Sequence, residues 1–175
     1  MSFLSSRSAS LRLHVTSLLP SAAPQVHARR TFIMLKESLY TVTATSTGGR
    51  NGTISSTPTD GTAHLSLKLT TPKAIGGRGE AGHNPEQLFA AAYSACFLGA
   101  IQAVAAQKGK KTVGERAKVH ADVTLGRPKG RPGFGLKVVL RVEGVEDQAI
   151  LDAAHEMCPY SRALREGVHV DVEKA

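Results

Sequence analysis

The chain has 175 residues, of which 41% are hydrophobic and 21% charged, a length and balance that suit one globular domain with its own core. No uninterrupted run of 18 or more apolar residues occurs, which argues against a membrane span. Two cysteines are too few for the disulfide scaffold of a small secreted protein, so we expect any pairing between them to serve function.

The formal net charge of +8 is concentrated near the N-terminus. Residues 1–35 hold four arginines and no acidic residue, whereas the rest of the chain carries 18 basic and 14 acidic residues. Serines and spaced leucines accompany those arginines, a composition typical of an organellar transit peptide. We therefore expect residues 1–34 to be a disordered mitochondrial transit peptide and residues 35–175 to form a single domain. The basic run at 108–111 lacks interleaved aromatics, so we expect no nucleic-acid partner.

The first elements of the domain are predicted to be strands. "LYTVTATS", beginning at Leu39, alternates with a two-residue period. "TGGRNG" at 47–52 predicts a tight turn whose final Asn-Gly pair favours positive φ angles. Return strands are predicted at 53–57 and 64–70, and a glycine-rich loop follows them.

"NPEQLFAAAYSACF" at 84–97 predicts the start of a long helix. Asn84 can cap it, Pro85 suits its first position, and Gly109 can end it after Lys108. One face of this helix is expected to carry Phe89, Ala92, Tyr93, Cys96, Gly99, Ala100 and Ala103. Because the helix is apolar nearly all round, we expect it to be buried nearly all round, which favours an intertwined homodimer.

The remaining elements are predicted from the same kinds of sequence pattern. Strands are predicted at 117–126 and 135–144, then a helix that Asp147 caps and Cys158-Pro159 ends, and a last strand at 167–173. The order βββ-α-ββ-α-β predicts an α+β fold with antiparallel-rich sheets around long buried helices.

Either cysteine, taken alone, fits an inert core thiol, because free Cys is among the most buried residue types. Cys158 precedes a proline at a helix end, where the main chain can move, and Cys96 lies on a face of small and aromatic residues. His155 is three residues before Cys158, a spacing that metal ligands can have, but no further ligand is near, so we expect no metal site.

Three motifs in this order, "TGGRNG", "NPEQLFAAAYSACF" and "CPYS" at 158–161, resemble the OsmC/Ohr family. The chain is most similar to the organic hydroperoxide resistance (Ohr) branch, and the likeness runs from about Leu39 to Val172. Ala92 stands where the bacterial branch often has glycine, and the N-terminal leader is foreign to bacterial members. The resemblance implies an OsmC-like fold, a homodimer and a thiol-dependent peroxidase.

The resemblance also implies roles for four residues. Cys96 corresponds to the peroxidatic thiol and Cys158 to the resolving thiol, which together pass through a sulfenic acid and an intramolecular disulfide. Arg50 corresponds to the residue that stabilises thiolate and peroxide, and Glu86 to the carboxylate that orients it. Because Glu86 precedes Cys96 by ten residues, it lies about 15 Å away along one helix, so Arg50 must span the gap or the second protomer must supply the pair.

The substrate is expected to be an organic, fatty-acid or lipid hydroperoxide, because a pocket of Phe89, Ala92 and Tyr93 offers little to a small polar peroxide. No bound cofactor is expected. The resemblance implies a dithiol reductant, lipoamide or a lipoylated carrier protein, which suits the mitochondrial matrix. Two other hypotheses remain: a peroxide-responsive redox sensor that uses the same disulfide, and a non-catalytic small-molecule carrier.

Overall fold

The computed structural model describes residues 33–57 and 63–175. The expected transit peptide therefore lies outside the described residues, apart from Ile33 and Met34. Five strands and four helices are present in the described ranges: β1 (Thr43–Thr47), β2 (Thr53–Thr57), β3 (Leu65–Lys68), α1 (Pro85–Gln107), α2 (Lys111–Arg116), β4 (Lys118–Gly126), β5 (Gly135–Glu143), α3 (Gln148–Met157) and α4 (Pro159–Glu166).

The strands form two antiparallel sheets, which confirms the predicted α+β class. The first sheet has the order β1-β2-β3, and the second is the hairpin β4-β5. Thr45 faces Ser55 in the first sheet, and Asp122 faces Val139 in the second. The helices α2 and α3 and the strand β4 all pack against α1, so this long helix is the centre of the domain.

The helix α1 begins and ends as its sequence predicts. Asn84 accepts a hydrogen bond from the Gln87 N–H at 2.9 Å, and Pro85 occupies the first helical position. At the other end Gly109 has a φ of 69°, and the N–H of Lys110 reaches back to the carbonyl of Ala105 at 2.8 Å. This pattern is a Schellman cap, in which glycine takes the left-handed conformation at no steric cost.

The core face of α1 differs from the predicted one. The buried residues of the helix are Tyr93, Phe97, Ala100, Ile101, Val104 and Ala105. From the predicted face, Ala92, Gly99 and Ala103 are exposed instead. The large side chains turn toward β4 and α3, where they fill space, while the small residues collect on the opposite side.

Four other local predictions are wrong or incomplete. Strand β1 begins at Thr43 rather than Leu39, and in the turn the positive φ angles belong to Gly48 and Gly49, not to the Asn-Gly pair. The chain re-enters a helix directly after the Cys158-Pro159 step, because a proline at the first position starts a helix as readily as it ends one. The predicted last strand is absent: Val168 makes a single parallel bridge with Ile33.

One helix of the described chain, α1, is long and apolar enough to cross a membrane by length and composition alone. Its buried face forms the protein core with α3 and β4, so the helix has the position of a core helix. Only about a third of its most apolar window is buried within the single chain, however. The exposed remainder includes Ala91, Ala92, Ala95, Gly99, Ala103 and Ala106.

Candidate active site

The structure brings the two cysteines together. Cys96 lies in the middle of α1, and Cys158 lies in the extended step between α3 and α4. Their Sγ atoms are 3.6 Å apart, and both are free thiols. A disulfide bond is about 2.05 Å long, so closing this pair requires a movement of about 1.5 Å.

The two thiols differ in exposure. Cys158 is completely buried, whereas Cys96 is partly exposed. A reagent from solution therefore meets Cys96 first, and Cys158 can react only with a group that Cys96 already carries. This asymmetry is what a sequential two-thiol reaction requires.

The immediate surroundings raise the pKa of the Cys96 thiol. Burial is the largest cause, because it disfavours the thiolate, and the neighbouring Cys158 adds to it. The backbone N–H of Tyr160, in the first turn of α4, acts in the opposite direction by donating a hydrogen bond to the sulfur. Within the part of the chain that the structure describes, no cation contributes to the pKa of this thiol.

Arg50 and Glu86 form a second pair. Arg50 donates from Nη1 to Oε2 of Glu86 at 2.9 Å and from Nη2 to Oε1 at 2.6 Å, a planar two-point contact. The Glu86 side chain is 15% exposed and that of Arg50 is 37% exposed, so the guanidinium keeps a face open to a ligand. The contact raises the pKa of Arg50 and lowers that of Glu86, and it is the largest cause of both shifts.

A tight turn delivers Arg50 to this position. The turn is a single 3-10 helix, Gly49–Asn51, that connects β1 to β2. Asn51 accepts a hydrogen bond from the N–H of Thr71 at 3.0 Å and thereby ties the turn to the following loop. Gly52 is required because a Cβ there would lie 1.7 Å from the carbonyl oxygen of Thr47.

The two pairs are separate within this chain. The hydrogen bonds of Arg50 go to Glu86, and the sulfur of Cys96 contacts Cys158 and the Tyr160 N–H. Glu86 and Cys96 are ten residues apart on one unbroken helix, which places them about 15 Å apart along its axis. The chain therefore carries a thiol pair and an arginine–carboxylate pair that no hydrogen bond among the described residues connects.

Three aromatic rings from α1 and α4 form one cluster, and Tyr160 of that cluster contacts Cys96 through its N–H. The ring centroids of Phe89 and Tyr93 are 5.9 Å apart, and Tyr160 lies 6.1 Å from Phe89 and 5.8 Å from Tyr93. Two of the three residues expected in the pocket, Phe89 and Tyr93, thus belong to this aromatic cluster. Ala92 points away from it and is exposed.

Sequence analysis did not predict the contribution of α4. This helix supplies the Tyr160 ring and N–H and also Ser161, whose hydroxyl hydrogen-bonds the Tyr93 hydroxyl at 2.9 Å. The amphipathic sequence after Cys158-Pro159 is the feature from which this helix could have been predicted.

His155 packs edge-on against the Phe97 ring. In the described residues no group of three or more His, Cys, Asp or Glu side chains could hold a metal ion.

Comparisons with known proteins agree with this architecture. The family model for OsmC-like proteins matches residues 77–173. An organic hydroperoxide resistance protein from Xanthomonas axonopodis pv. citri is 45% identical over 142 residues, which cover 78% of this chain and 95% of the relative.

Two solved structures are similar. One is an organic hydroperoxide resistance protein from Legionella pneumophila, with 40% identity and a TM-score of 0.64 over 75% of this chain and 94% of that chain. The other is the organic hydroperoxide resistance protein OhrB of Bacillus subtilis, with 37% identity and a TM-score of 0.61 over 75% and 95% of the two chains. The fold is that of an OsmC-type protein. The chain belongs to the OsmC/Ohr family, and its relatives include an organic hydroperoxide resistance protein that is 45% identical to it.

The contact with Arg50 predicts how Glu86 titrates. Its carboxyl should lose its proton below the usual pH range in the wild type, and Arg50→Ala should move the midpoint upward. Because the folded-state pKa is lowered, the pair stabilises the protein fully above the unfolded-state value of about 4.3 and loses that stability as pH falls through the folded-state pKa. Carbon-13 NMR titration of the Glu86 carboxyl measures the midpoint.

Arg141→Ala is the matched control, because Arg141 pairs with exposed Asp122 on the other sheet. It should leave the Glu86 midpoint unchanged. An equal shift in both arginine variants would mean that net charge, rather than the direct contact, controls the carboxyl.

Proposed function

We propose that this protein is a cysteine-based peroxidase that reduces organic hydroperoxides to alcohols. The observation that carries this proposal is the 3.6 Å approach of a partly exposed thiol to a fully buried one. Membership of the OsmC/Ohr family and relatives named for organic hydroperoxide resistance support the same reaction.

The first step is attack by the Cys96 thiolate on the distal oxygen of the hydroperoxide. The S–O bond forms as the O–O bond breaks, the leaving alkoxide takes a proton to become the alcohol, and Cys96 becomes a sulfenic acid. An ordinary thiol is only about 3% thiolate at pH 7, and burial makes the pKa of Cys96 less favourable still. A cation at the sulfur is therefore needed during the reaction.

Arg50 is the residue that we assign to this task. Its guanidinium can hydrogen-bond the peroxide oxygens and stabilise the charge that develops on the leaving oxygen. Glu86 holds the guanidinium planar and aimed through its two-point contact, and it remains ionised because its pKa is lowered. Neither residue needs to transfer a proton in this scheme.

The second step is disulfide formation. The Cys158 thiol attacks the sulfur of the Cys96 sulfenic acid, an S–S bond forms, and water leaves. A dithiol then reduces the disulfide and is itself oxidised to a disulfide. We propose a lipoyl group, on lipoamide or on a lipoylated protein, as this reductant, and the mitochondrial matrix as the compartment, on the strength of the leader's composition.

The aromatic cluster favours organic over small polar substrates. Phe89 is partly exposed and Tyr160 is exposed, and the N–H of Tyr160 contacts Cys96, so these two rings offer apolar surface near the thiol pair. An alkyl or acyl chain gains about 0.8 kcal/mol for each methylene group it buries there, a gain that hydrogen peroxide lacks. We therefore propose alkyl, fatty-acid or lipid hydroperoxides as the substrate class.

We also propose that the active unit is a homodimer whose sites combine half-sites from two chains. The exposed face of α1 consists of small apolar residues that allow a second backbone to approach closely, and strand β1 is exposed along its whole length. A membrane would not explain this arrangement, because the opposite face of α1 is committed to the core. In such a dimer the Arg50–Glu86 pair of one chain reaches Cys96 of the other.

The cysteine cycle predicts different losses for the two thiols. Cys96→Ser should abolish reduction of tert-butyl hydroperoxide. Cys158→Ser should retain one turnover and then lose Cys96 to sulfinic acid, because no neighbouring thiol can trap the sulfenic acid. Thiol titration after one equivalent of peroxide and intact-mass measurement follow both events.

The wild type should lose two thiols per chain in that titration. If the wild type lost no thiols, a non-catalytic carrier would be favoured. Sustained lipoamide-dependent turnover by Cys158→Ser would contradict the two-cysteine cycle. Full disulfide formation without sustained turnover by any of lipoamide, glutathione or thioredoxin would favour a redox sensor.

The planar contact with Glu86 predicts that lysine cannot replace Arg50. Arg50→Lys keeps the charge but loses the two-point geometry, so kcat/KM should fall by about 10²-fold or more, nearly as far as in Arg50→Ala. Arg141→Lys, at an exposed ion pair, is the matched control and should retain the wild-type value. Near-normal rates in Arg50→Lys would reduce Arg50 to a general positive charge.

The composite site predicts that two inactive variants can restore each other. Mixed dimers of Cys96→Ser and Glu86→Ala chains contain one complete site, so random mixing should recover about a quarter of wild-type activity. Cys96→Ser mixed with Cys158→Ser is the control, because both thiols come from one chain and no complete site forms. Native mass spectrometry verifies that mixed dimers are present. Inactive mixed dimers of the first pair would place all four residues within one chain.

A further inference from the structure

A buried hydrogen bond connects the same two helices that carry the thiols. The hydroxyl of Tyr93 on α1 and the hydroxyl of Ser161 on α4 are 2.9 Å apart. Tyr93 is 3% exposed and Ser161 is 1% exposed, and Ser161 is the one buried polar side chain of the described chain. The proposed reaction makes no use of either hydroxyl.

The position of this hydrogen bond relates it to the sulfur pair. Tyr93 precedes Cys96 by three residues on α1, and Ser161 follows Cys158 by three residues on α4. Residues three apart on a helix are neighbours on one face, so the hydroxyl contact and the sulfur contact join the two helices one turn apart. A displacement of α4 relative to α1 that lengthens the hydroxyl contact therefore also changes the distance between the sulfurs.

The main chain at Cys158 makes such a displacement possible. Cys158 lies between α3 and α4 in an extended conformation, with φ of −64° and ψ of 121°, and its amide and carbonyl groups serve as the end of one helix and the start of the next. The distance between the sulfurs therefore depends on the position of α4 relative to α1. The Tyr93–Ser161 hydrogen bond is a direct polar contact that fixes this position.

We propose that Tyr93 and Ser161 are positioning residues for the second step, the closure of the Cys96–Cys158 disulfide. This inference rests on the proposed function. In that step the Cys158 thiol attacks the Cys96 sulfur, the S–S bond forms and water leaves, in competition with a second peroxide that would oxidise the sulfenic acid to sulfinic acid. The hydroxyl pair raises the effective concentration of Cys158 at Cys96 and so favours closure.

The first step should depend much less on this pair. Attack on the peroxide uses the Cys96 thiolate and the Arg50 guanidinium, neither of which contacts Tyr93 or Ser161 through a polar atom. Loss of the Ser161 hydroxyl should therefore leave the reactivity with peroxide unchanged and alter the fate of the sulfenic acid. A merely structural role would lower thermal stability without changing that partition.

The test uses Tyr93→Phe, Ser161→Ala and the double variant in the full-length protein. Each removes the hydrogen bond with little change of volume, and the double variant leaves no buried hydroxyl without a partner. Ser94→Ala is the matched control, because the Ser94 hydroxyl bonds to the carbonyl of Ala91 within α1 and not to α4. Circular dichroism verifies that every variant is folded.

Two measurements separate the positioning role from the proposed function. The first is the concentration of tert-butyl hydroperoxide that converts half of Cys96 to sulfinic acid during turnover, with the rate of initial thiol loss measured alongside. We expect that concentration to fall about tenfold in all three variants and to stay unchanged in Ser94→Ala. In Ser161→Ala, whose residue has no part in substrate binding, the initial rate should change by less than about twofold. The second is the equilibrium between the Cys96–Cys158 pair and a glutathione redox buffer, which needs no peroxide.

The redox-buffer measurement should give an effective thiol concentration about tenfold lower in the variants than in the wild type and in Ser94→Ala. Wild-type values in folded variants for this equilibrium would overturn the inference. A wild type that loses no thiols to the hydroperoxide would contradict the proposed function instead, and a lowered effective concentration would still support the positioning role. If the effective thiol concentration falls by a similar factor in the single and double variants, the two hydroxyls act as one unit.

Discussion

The structure depends on one spatial constraint, the length of α1. This helix carries Glu86 in its first turn and Cys96 at its middle, and an unbroken helix keeps the two about 15 Å apart. Glu86 holds Arg50 through two short hydrogen bonds, so the arginine is held at the start of the helix as well. The chain consequently has its arginine–carboxylate ion pair at the start of α1 and its thiol pair at the middle of that helix, and small residues on α1 are exposed between the two positions.

The electrostatic surroundings of Cys96 also indicate that, among the described residues, no cation stabilises its thiolate. Burial and the neighbouring Cys158 raise the pKa of Cys96, and the one compensating contact is the N–H of Tyr160. A thiol in that setting is a poor nucleophile at neutral pH. With its pKa raised, Cys96 needs a stabilising cation for fast reaction, a role that we propose for the Arg50 guanidinium held by Glu86.

The difference in burial between the two cysteines fits the order in which they react in the proposed cycle. Cys96 is accessible to a peroxide, whereas Cys158 lies beneath the surface at the step between two helices. The aromatic rings and the Tyr93–Ser161 hydrogen bond pack α4 against α1, so the distance between the sulfurs is a property of helix packing. The catalytic cycle that we propose therefore relies on the positions of whole helices as much as on the reactivity of either thiol.

The sequence alone determined the local features of this protein. The caps of α1 at Asn84 and Gly109 and the cap of α3 at Asp147 depend on residues within one or two turns of each other, so their chemistry is readable along the chain. The α+β class follows from the spacing of the strands in the same way. The motifs around Arg50, Glu86, Cys96 and Cys158 likewise identify the family from the sequence alone.

Tertiary structure decided which of those features meet. The small residues Ala92, Gly99 and Ala103 could have faced the core by periodicity, but the larger Phe97, Ile101 and Val104 fill it better. Among the described residues the predicted strand at 167–173 makes only the Val168–Ile33 bridge, and Pro159 begins α4, which packs on α1. The 3.6 Å approach of the sulfurs and the two-point contact of Arg50 with Glu86 join residues far apart in sequence, and only packing determines such distances.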